Sequence, residues 1–236
     1  ANARMHQGEW QRFFGRRLAD LTIGIVGAGR IGGRVLQQLA ALGAGRLLVN
    51  DINPTACGLD GIAAVEQVDK DVIYQASDIV SLHVPLTAQT KNMVRREHLL
   101  SMKPDAMIIN TARGGVINED ELADVLASGH LAGAAVDVFC EEPYQGRLAS
   151  IERCLLTSHM GSMSIDCRTR MEIEANGEAI RYLTGQALEG LVTEGEFQVQ
   201  REGLWDCAGM CDWGFRISRQ PRGRCALRGG ALCLDL

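Results

Sequence analysis

The chain has 236 residues, 46% of them hydrophobic, with eight cysteines and a formal net charge of -5. That is enough to bury one sizeable core without disulfides or metal, and the acidic balance leaves no electrostatic footprint for nucleic acid or an anionic membrane. No apolar run has the length of a transmembrane helix and the first residues lack the order of a secretory signal, so a cytoplasmic protein acting on small molecules is expected.

From Leu21 to about Tyr182, apolar runs alternate with helical patterns: TIGIVG (22–27), RLLVND (46–51), DIVSLHVP (78–85), AMIINT (106–111), GAAVDVF (133–139) and CLLTSH (154–159). Runs that are continuously apolar mark strands covered on both faces, hence a parallel sheet. Between the first two runs, Ile31, Val35, Leu36, Leu39 and Leu42 share one helix face, which stops at Gly43 to Gly45. Asn118 followed by Glu121 reads as a capping box opening a helix through Leu126, and a last long helix is expected from about Asp166 to Leu183. The alternation predicts an α/β fold over 21–185, a Rossmann-type doubly wound parallel sheet with helices on both faces.

Cys57, Cys140, Cys154 and Cys167 sit singly and read as buried thiols. The segment 201–236 differs from the rest: six arginines, six glycines, four cysteines and two tryptophans, with no lysine and no periodicity. The whole chain carries three lysines against twenty-one arginines, the bias of a G+C-rich gene. Such a gene read out of frame yields much Arg, Gly, Ala, Cys and Trp, so 201–236 reads as an irregular, non-native tail, the alternative being an ordinary irregular extension. Cys207 and Cys211 form one C-x-x-x-C pair with every histidine upstream, so no metal site is expected.

Gly27-Ala28-Gly29-Arg30-Ile31-Gly32 is a G-x-G-x-x-G that follows a strand and opens a helix, with Asp51 closing the next strand. Gly27 permits a tight turn, Gly29 lets the backbone approach a pyrophosphate, and Gly32 lets the helix pack on the sheet, while the helix N-terminus attracts the anion. A glycine turn needed only for packing leaves Asp51 unexplained. Asp51 would accept hydrogen bonds from the adenosine ribose and repel a 2′-phosphate, which favours NAD over NADP. Arg30 and Arg46 are the cations near enough in sequence to take that phosphate instead.

With SLHVPLTAQT (81–90), NTARGGVINEDEL (110–122), AAVDVFCEEP (134–143) and TSHMG (157–161) in this order and spacing, the stretch from about Gly8 to Arg181 resembles the D-isomer-specific 2-hydroxyacid dehydrogenases. The resemblance implies a hydride transfer between NAD(H) and a D-2-hydroxy acid or 2-oxo acid. It makes Arg113 the grip on the substrate carboxylate, a planar and always charged fork, and His159 the general acid/base. Glu142 becomes the histidine's carboxylate partner, favouring its protonated form; it precedes Pro143 as the family pattern has it, whereas neighbouring Glu141 does not. Cofactor contacts are implied at Arg30 and Ile31 by the pyrophosphate, Pro85 and Thr90 along the adenosine side, and Thr111, Ala112, Asp137 and Gly161 near the nicotinamide. Asp137 would bond the nicotinamide amide. Val80, Leu82, Val84, Ile108, Ile109, Val136 and Val138 read as buried strand residues, and His83 and His130 as structural or surface.

Residues 1–20, with Gly8-Glu9-Trp10 and Gly15-Arg16-Arg17-Leu18, resemble the entry helix and linker that lead into the family's cofactor domain; in this family about a hundred residues precede the glycine motif, and here twenty-six do. The substrate lobe is therefore expected to be largely missing, with 186–200 a remnant of the return to it and the chain a fragment that binds NAD but turns over little. A homodimer through the cofactor domain is implied, and phosphoglycerate dehydrogenase is the first guess among members. The alternative is a non-catalytic NAD(H) sensor of the co-repressor type. The set Arg113, Glu142 and His159 favours the enzyme.

Overall fold

Helix α1 (Asn2–His6) and an extended stretch lead to a 3-10 turn over Leu18–Asp20, after which strands and helices alternate. The computed structural model describes residues 2–12, 14–53 and 65–190. The readings of 201–236 and of most of 186–200, and Cys57, Cys207 and Cys211, lie outside the described residues.

Each of the six apolar runs becomes a strand, trimmed at one or both ends: β1 (Thr22–Val26), β2 (Arg46–Asn50), β4 (Ile79–Leu82), β5 (Met107–Asn110), β6 (Gly133–Val136) and β7 (Cys154–Leu156). A seventh, β3 (Val65–Gln67), was not foreseen, because three residues reading VEQ are too short and too polar to stand out. All pairings are parallel, in the order β3-β2-β1-β4-β5-β6-β7. The chain reverses its direction of travel across the sheet between β1 and β4, the kind of switch point where doubly wound sheets take ligands. Register places Asn50, Val26, Leu82, Asn110, Val136 and Leu156 level across the sheet. The residues that follow them, Asp51, Gly27, His83, Thr111, Asp137 and Thr157, therefore share one carboxyl edge.

Five helices connect the strands or follow them: α2 (Arg30–Ala41), α3 (Lys70–Ala76), α4 (Arg96–Ser101), α5 (Glu119–Ser128) and α6 (Ile165–Thr184). Only half of the expected capping box forms at α5. The Asn118 side chain accepts from the Glu121 amide at 3.1 Å, but the Glu121 carboxylate accepts from the Arg96 amide opening α4, and the Asn118 amide donates to the Val94 carbonyl. A parallel bridge between Val94 and Ile117 brings the two helix starts together, and Glu121 serves the neighbour.

Two cores lie on opposite faces. Val26, Leu48, Val80, Leu82, Ile108 and Val136 pack under α3, α4 and α5 through Ile73, Leu99, Leu122 and Leu126. Ile23, Ile25, Leu47 and Val49 pack under α2 through Leu36. Of the predicted α2 face only Leu36 is fully buried, while Ile31 and Leu42 at the ends are exposed. The second face is covered over β1 and β2 but open over β5 to β7, where Met107 and Leu155 are 42% and 66% exposed beside a hollow of about 450 Å³. The described residues thus leave Met107 and Leu155 uncovered on that face, while the sheet as a whole carries helices on both faces as expected, α2 on one and α3 to α5 on the other. Helix α6 likewise buries none of its residues.

The cysteine reading needs correction: among the described cysteines only Cys154 is buried, Cys140 is exposed and Cys167 is intermediate. Burial pushes the Cys154 thiol up to about 11. No described helix is long and apolar enough to cross a membrane.

Candidate active site

Gly27 leaves β1 with φ +90° and donates to the Asn50 carbonyl at 2.8 Å. A Cβ there would lie 2.5 Å from the His83 carbonyl oxygen, and one on Gly32 only 1.9 Å from that of Gly27. Both positions exclude any side chain, one by backbone conformation and contact, the other by contact alone. Gly29 is different. It is the N-cap of α2, and a Cβ built on it meets nothing within 4 Å. The turn therefore leaves open space over a helix N-terminus, with Ile31 exposed at its mouth, which suits an anion approaching the first backbone amides.

Asp51 stands at the end of β2, its Oδ2 accepting from the Ala28 amide at 2.6 Å and its Oδ1 from the Asn53 amide at 2.8 Å. Of the two cations weighed as phosphate partners, Arg46 is at the opposite end of β2 and bonds Glu66 through Nε at 2.9 Å and Nη2 at 2.6 Å. Four strand residues, about 13 Å, part it from the carboxyl edge, so sequence proximity misled there. Arg30 opens α2 beside the turn and is exposed. Past β4, the His83 ring bonds the Ser81 hydroxyl at 2.9 Å and burial lowers its pKa. Pro85 is exposed, and the Thr90 hydroxyl donates to its carbonyl while accepting from the Thr87 amide, which closes the 85–90 turn.

At the end of β5 the Asn110 amide, 2% exposed, clasps the next turn: Oδ1 accepts from the Ala112 amide at 3.1 Å and Nδ2 donates to the Arg113 carbonyl at 3.0 Å. Gly114 presses on the Phe139 backbone, where a Cβ would lie 2.0 Å from the carbonyl oxygen. Thr111 and Arg113 are exposed, and the guanidinium donates to the Ala112 carbonyl at 2.7 Å. Sequence reasoning passed over Asn110; its only signal was a polar residue closing an apolar run.

The ends of β6 and β7 meet around Asp137, which is 8% exposed. Its Oδ1 accepts from the Thr157 hydroxyl and from the Met160 amide at 2.9 Å, and its own carbonyl accepts from the His159 amide at 2.8 Å. Burial alone would raise this carboxyl. Hydrogen bonds from Thr157 and Met160, the neighbouring His159 ring and the Gly161 amide outweigh that and hold it below the usual carboxylate range. The hairpin of contacts fixes His159 at φ +54°, unusual for a residue with a side chain. His159 Nδ1 lies 3.0 Å from Glu142 Oε2, and Glu142 Oε1 accepts from the Phe139 amide at 3.1 Å. It is Glu142, not Glu141, that reaches the ring. The pair is half-exposed beside a hollow of about 880 Å³ lined by Phe139, Tyr144, Leu156 and Met160 among others. Among the described residues no group of three or more His, Cys, Asp or Glu is placed to hold a metal ion.

A glycine turn at the switch point of a parallel sheet, an acidic residue ending the adjacent strand and open space over the helix N-terminus define a dinucleotide-binding domain. Residues 1–161 match the D-isomer specific 2-hydroxyacid dehydrogenase, NAD binding domain. The chain belongs to that family. It is 34% identical over 184 residues to a D-3-phosphoglycerate dehydrogenase of Synechocystis, covering 77% of this chain and 33% of that protein. It is 36% identical over 195 residues to a glyoxylate reductase of Thermofilum pendens, covering 81% and 57%. A crystal structure of Lactobacillus jensenii D-lactate dehydrogenase with NAD+ superposes with a TM-score of 0.71 at 25% identity over 82% of this chain and 62% of that one. The chain thus spans from a third to under three fifths of the length of these curated relatives.

Proposed function

We propose that this chain is the cofactor-holding half of an enzyme that interconverts a D-2-hydroxy acid and its 2-oxo acid with NAD(H). The observation that carries this is the pairing of His159 Nδ1 with Glu142 at 3.0 Å on the carboxyl edge of the sheet that also bears the glycine turn. Bound nicotinamide supplies hydride transfer to and from the substrate carbon. The residues of this chain do the rest. His159 takes the hydroxyl proton during oxidation and returns it during reduction, through its Nε2, since Nδ1 is held by Glu142. Glu142 fixes the ring's orientation and tautomer. Arg113, released from the Ala112 carbonyl, forks onto the substrate carboxylate.

Arg30, Ile31 and the glycine turn take the pyrophosphate, and Asp51 the adenosine ribose, with NAD preferred over NADP. Pro85 and Thr90 line the adenosine side. Thr111, Ala112, Asp137 and Gly161 border the nicotinamide. The substrate is a small 2-hydroxy or 2-oxo acid, with phosphoglycerate the first candidate because a phosphoglycerate dehydrogenase is among the relatives. A homodimer through the cofactor domain and a cytoplasmic location complete the reading.

The test joins this chain to the substrate-binding segment of a relative such as the Thermofilum pendens enzyme. NADH oxidation that depends on glyoxylate, hydroxypyruvate or phosphohydroxypyruvate is expected, and His159→Ala should lower kcat about a hundredfold or more with NADH affinity kept. Undiminished turnover in that variant would contradict the assignment. Cofactor binding with no turnover for any of these acids would leave a binding-only module.

A further inference from the structure

We propose that Asp51 is a positioning residue for the glycine turn, acting on the phosphate seat through Ala28, in addition to facing the adenosine ribose. This rests on the reading of that turn as the place where the dinucleotide phosphates lie. Both oxygens of the Asp51 carboxylate are engaged by backbone amides, Ala28 at 2.6 Å and Asn53 at 2.8 Å. The first contact matters because Ala28 has no exposed surface, so its N–H has no water to fall back on.

Two successive bonds stitch the turn to the end of β2: Gly27 N–H to the Asn50 carbonyl at 2.8 Å, then Ala28 N–H to the Asp51 carboxylate. Gly29 caps α2 immediately afterwards. The orientation of the 27–28 and 28–29 peptides therefore sets where the first amides of α2 point, and Asp51 holds one of those peptides by a short, charge-assisted bond. Without the carboxylate the Ala28 N–H loses the partner that fixes its peptide, which frees the turn beneath the anion to move.

The test titrates the wild-type chain, Asp51→Ala and Asp51→Asn with NADH and with reduced nicotinamide mononucleotide, which carries a phosphate but no adenosine ribose. Amide hydrogen exchange of the ligand-free proteins is read alongside. In Asp51→Ala the mononucleotide should bind about tenfold to a hundredfold more weakly, the worth of a hydrogen bond to a charged group, and the Ala28 amide should exchange at least about tenfold faster with Ile25 unchanged. Asp51→Asn keeps an acceptor oxygen for Ala28 and should retain most of the mononucleotide affinity. If Asp51→Ala weakens NADH yet leaves mononucleotide affinity and Ala28 exchange within about twofold of wild type, Asp51 serves the ribose alone and the proposal fails. If the wild-type chain binds neither ligand, the dinucleotide reading fails instead, and unchanged Ala28 exchange would still refute the hold on the turn.

Discussion

Around β1 and β2 the sheet is buried on both faces, and the turn leaving β1 is fixed by backbone contact, since neither Gly27 nor Gly32 has room for a Cβ. From β5 to β7 one face is open, and the turn carrying His159 is fixed by hydrogen bonds that converge on the Asp137 carboxylate. The contacts at Gly27 and Gly32 leave no room for a side chain, and Asp51 ties the same turn to the end of β2. A polar clasp tolerates a half-exposed histidine, which suits the proton-transfer role proposed for His159. On the proposed function, the first region holds the phosphates and the adenosine ribose, and the second carries the His159–Glu142 pair beside its hollow. Binding and turnover should separate experimentally.

The sharpest way to break the first region is Gly32→Val, whose Cβ would lie 1.9 Å from the Gly27 carbonyl. NADH binding should vanish in a fluorescence titration and unfolding stability should fall by about 2–3 kcal/mol. Retained binding would show the turn to be softer than its contacts indicate.

In the second region Asp137→Ala strips the acceptor from Thr157 and Met160, and denaturant unfolding should show a loss of about 1–3 kcal/mol. The same residue sets a pH dependence. Its folded pKa is lowered, so the stability it contributes is fully present above the ordinary carboxylate value of about 4 and is lost as pH falls through the lower folded value. Asp137→Asn should be less stable than wild type at pH 7 and lose less on going to pH 3. A wild-type acid slope in that variant would remove Asp137 from the account.

Smaller effects sharpen the contrast. Glu142→Gln alters a half-exposed pair, so stability should change by no more than about 1 kcal/mol, and a larger loss would make Glu142 a structural residue. Arg46→Ala should leave the ratio of NADH to NADPH affinity unchanged, because Arg46 is tied to Glu66 at the far end of β2. A shift toward NADH would return Arg46 to the cofactor site.

How much of this was legible in the sequence follows from the same contrast. All strands but β3, the α2 start and the glycine turn were readable because each rests on local chemistry: continuous apolar runs, a helix period, glycines where no Cβ fits. The pairing of His159 with Glu142 came from resemblance, since 17 residues separate them and only the β6 and β7 ends bring them together. Three features were not readable. The open face at Met107 and Leu155 has the same apolar pattern as a covered one, because a run records what a strand can bury and not whether anything covers it. Asn110 holding the Arg113 turn and Asp51 holding Ala28 are contacts between a strand end and a loop, which no periodicity encodes.

The proposal that the glycine turn and Asp51 hold NAD is tested most directly by calorimetric titration of this chain with NADH and NADPH. The account predicts one NADH bound per chain and weaker binding of NADPH, set by Asp51 at the end of β2. No binding of either, or tighter binding of NADPH, would contradict it.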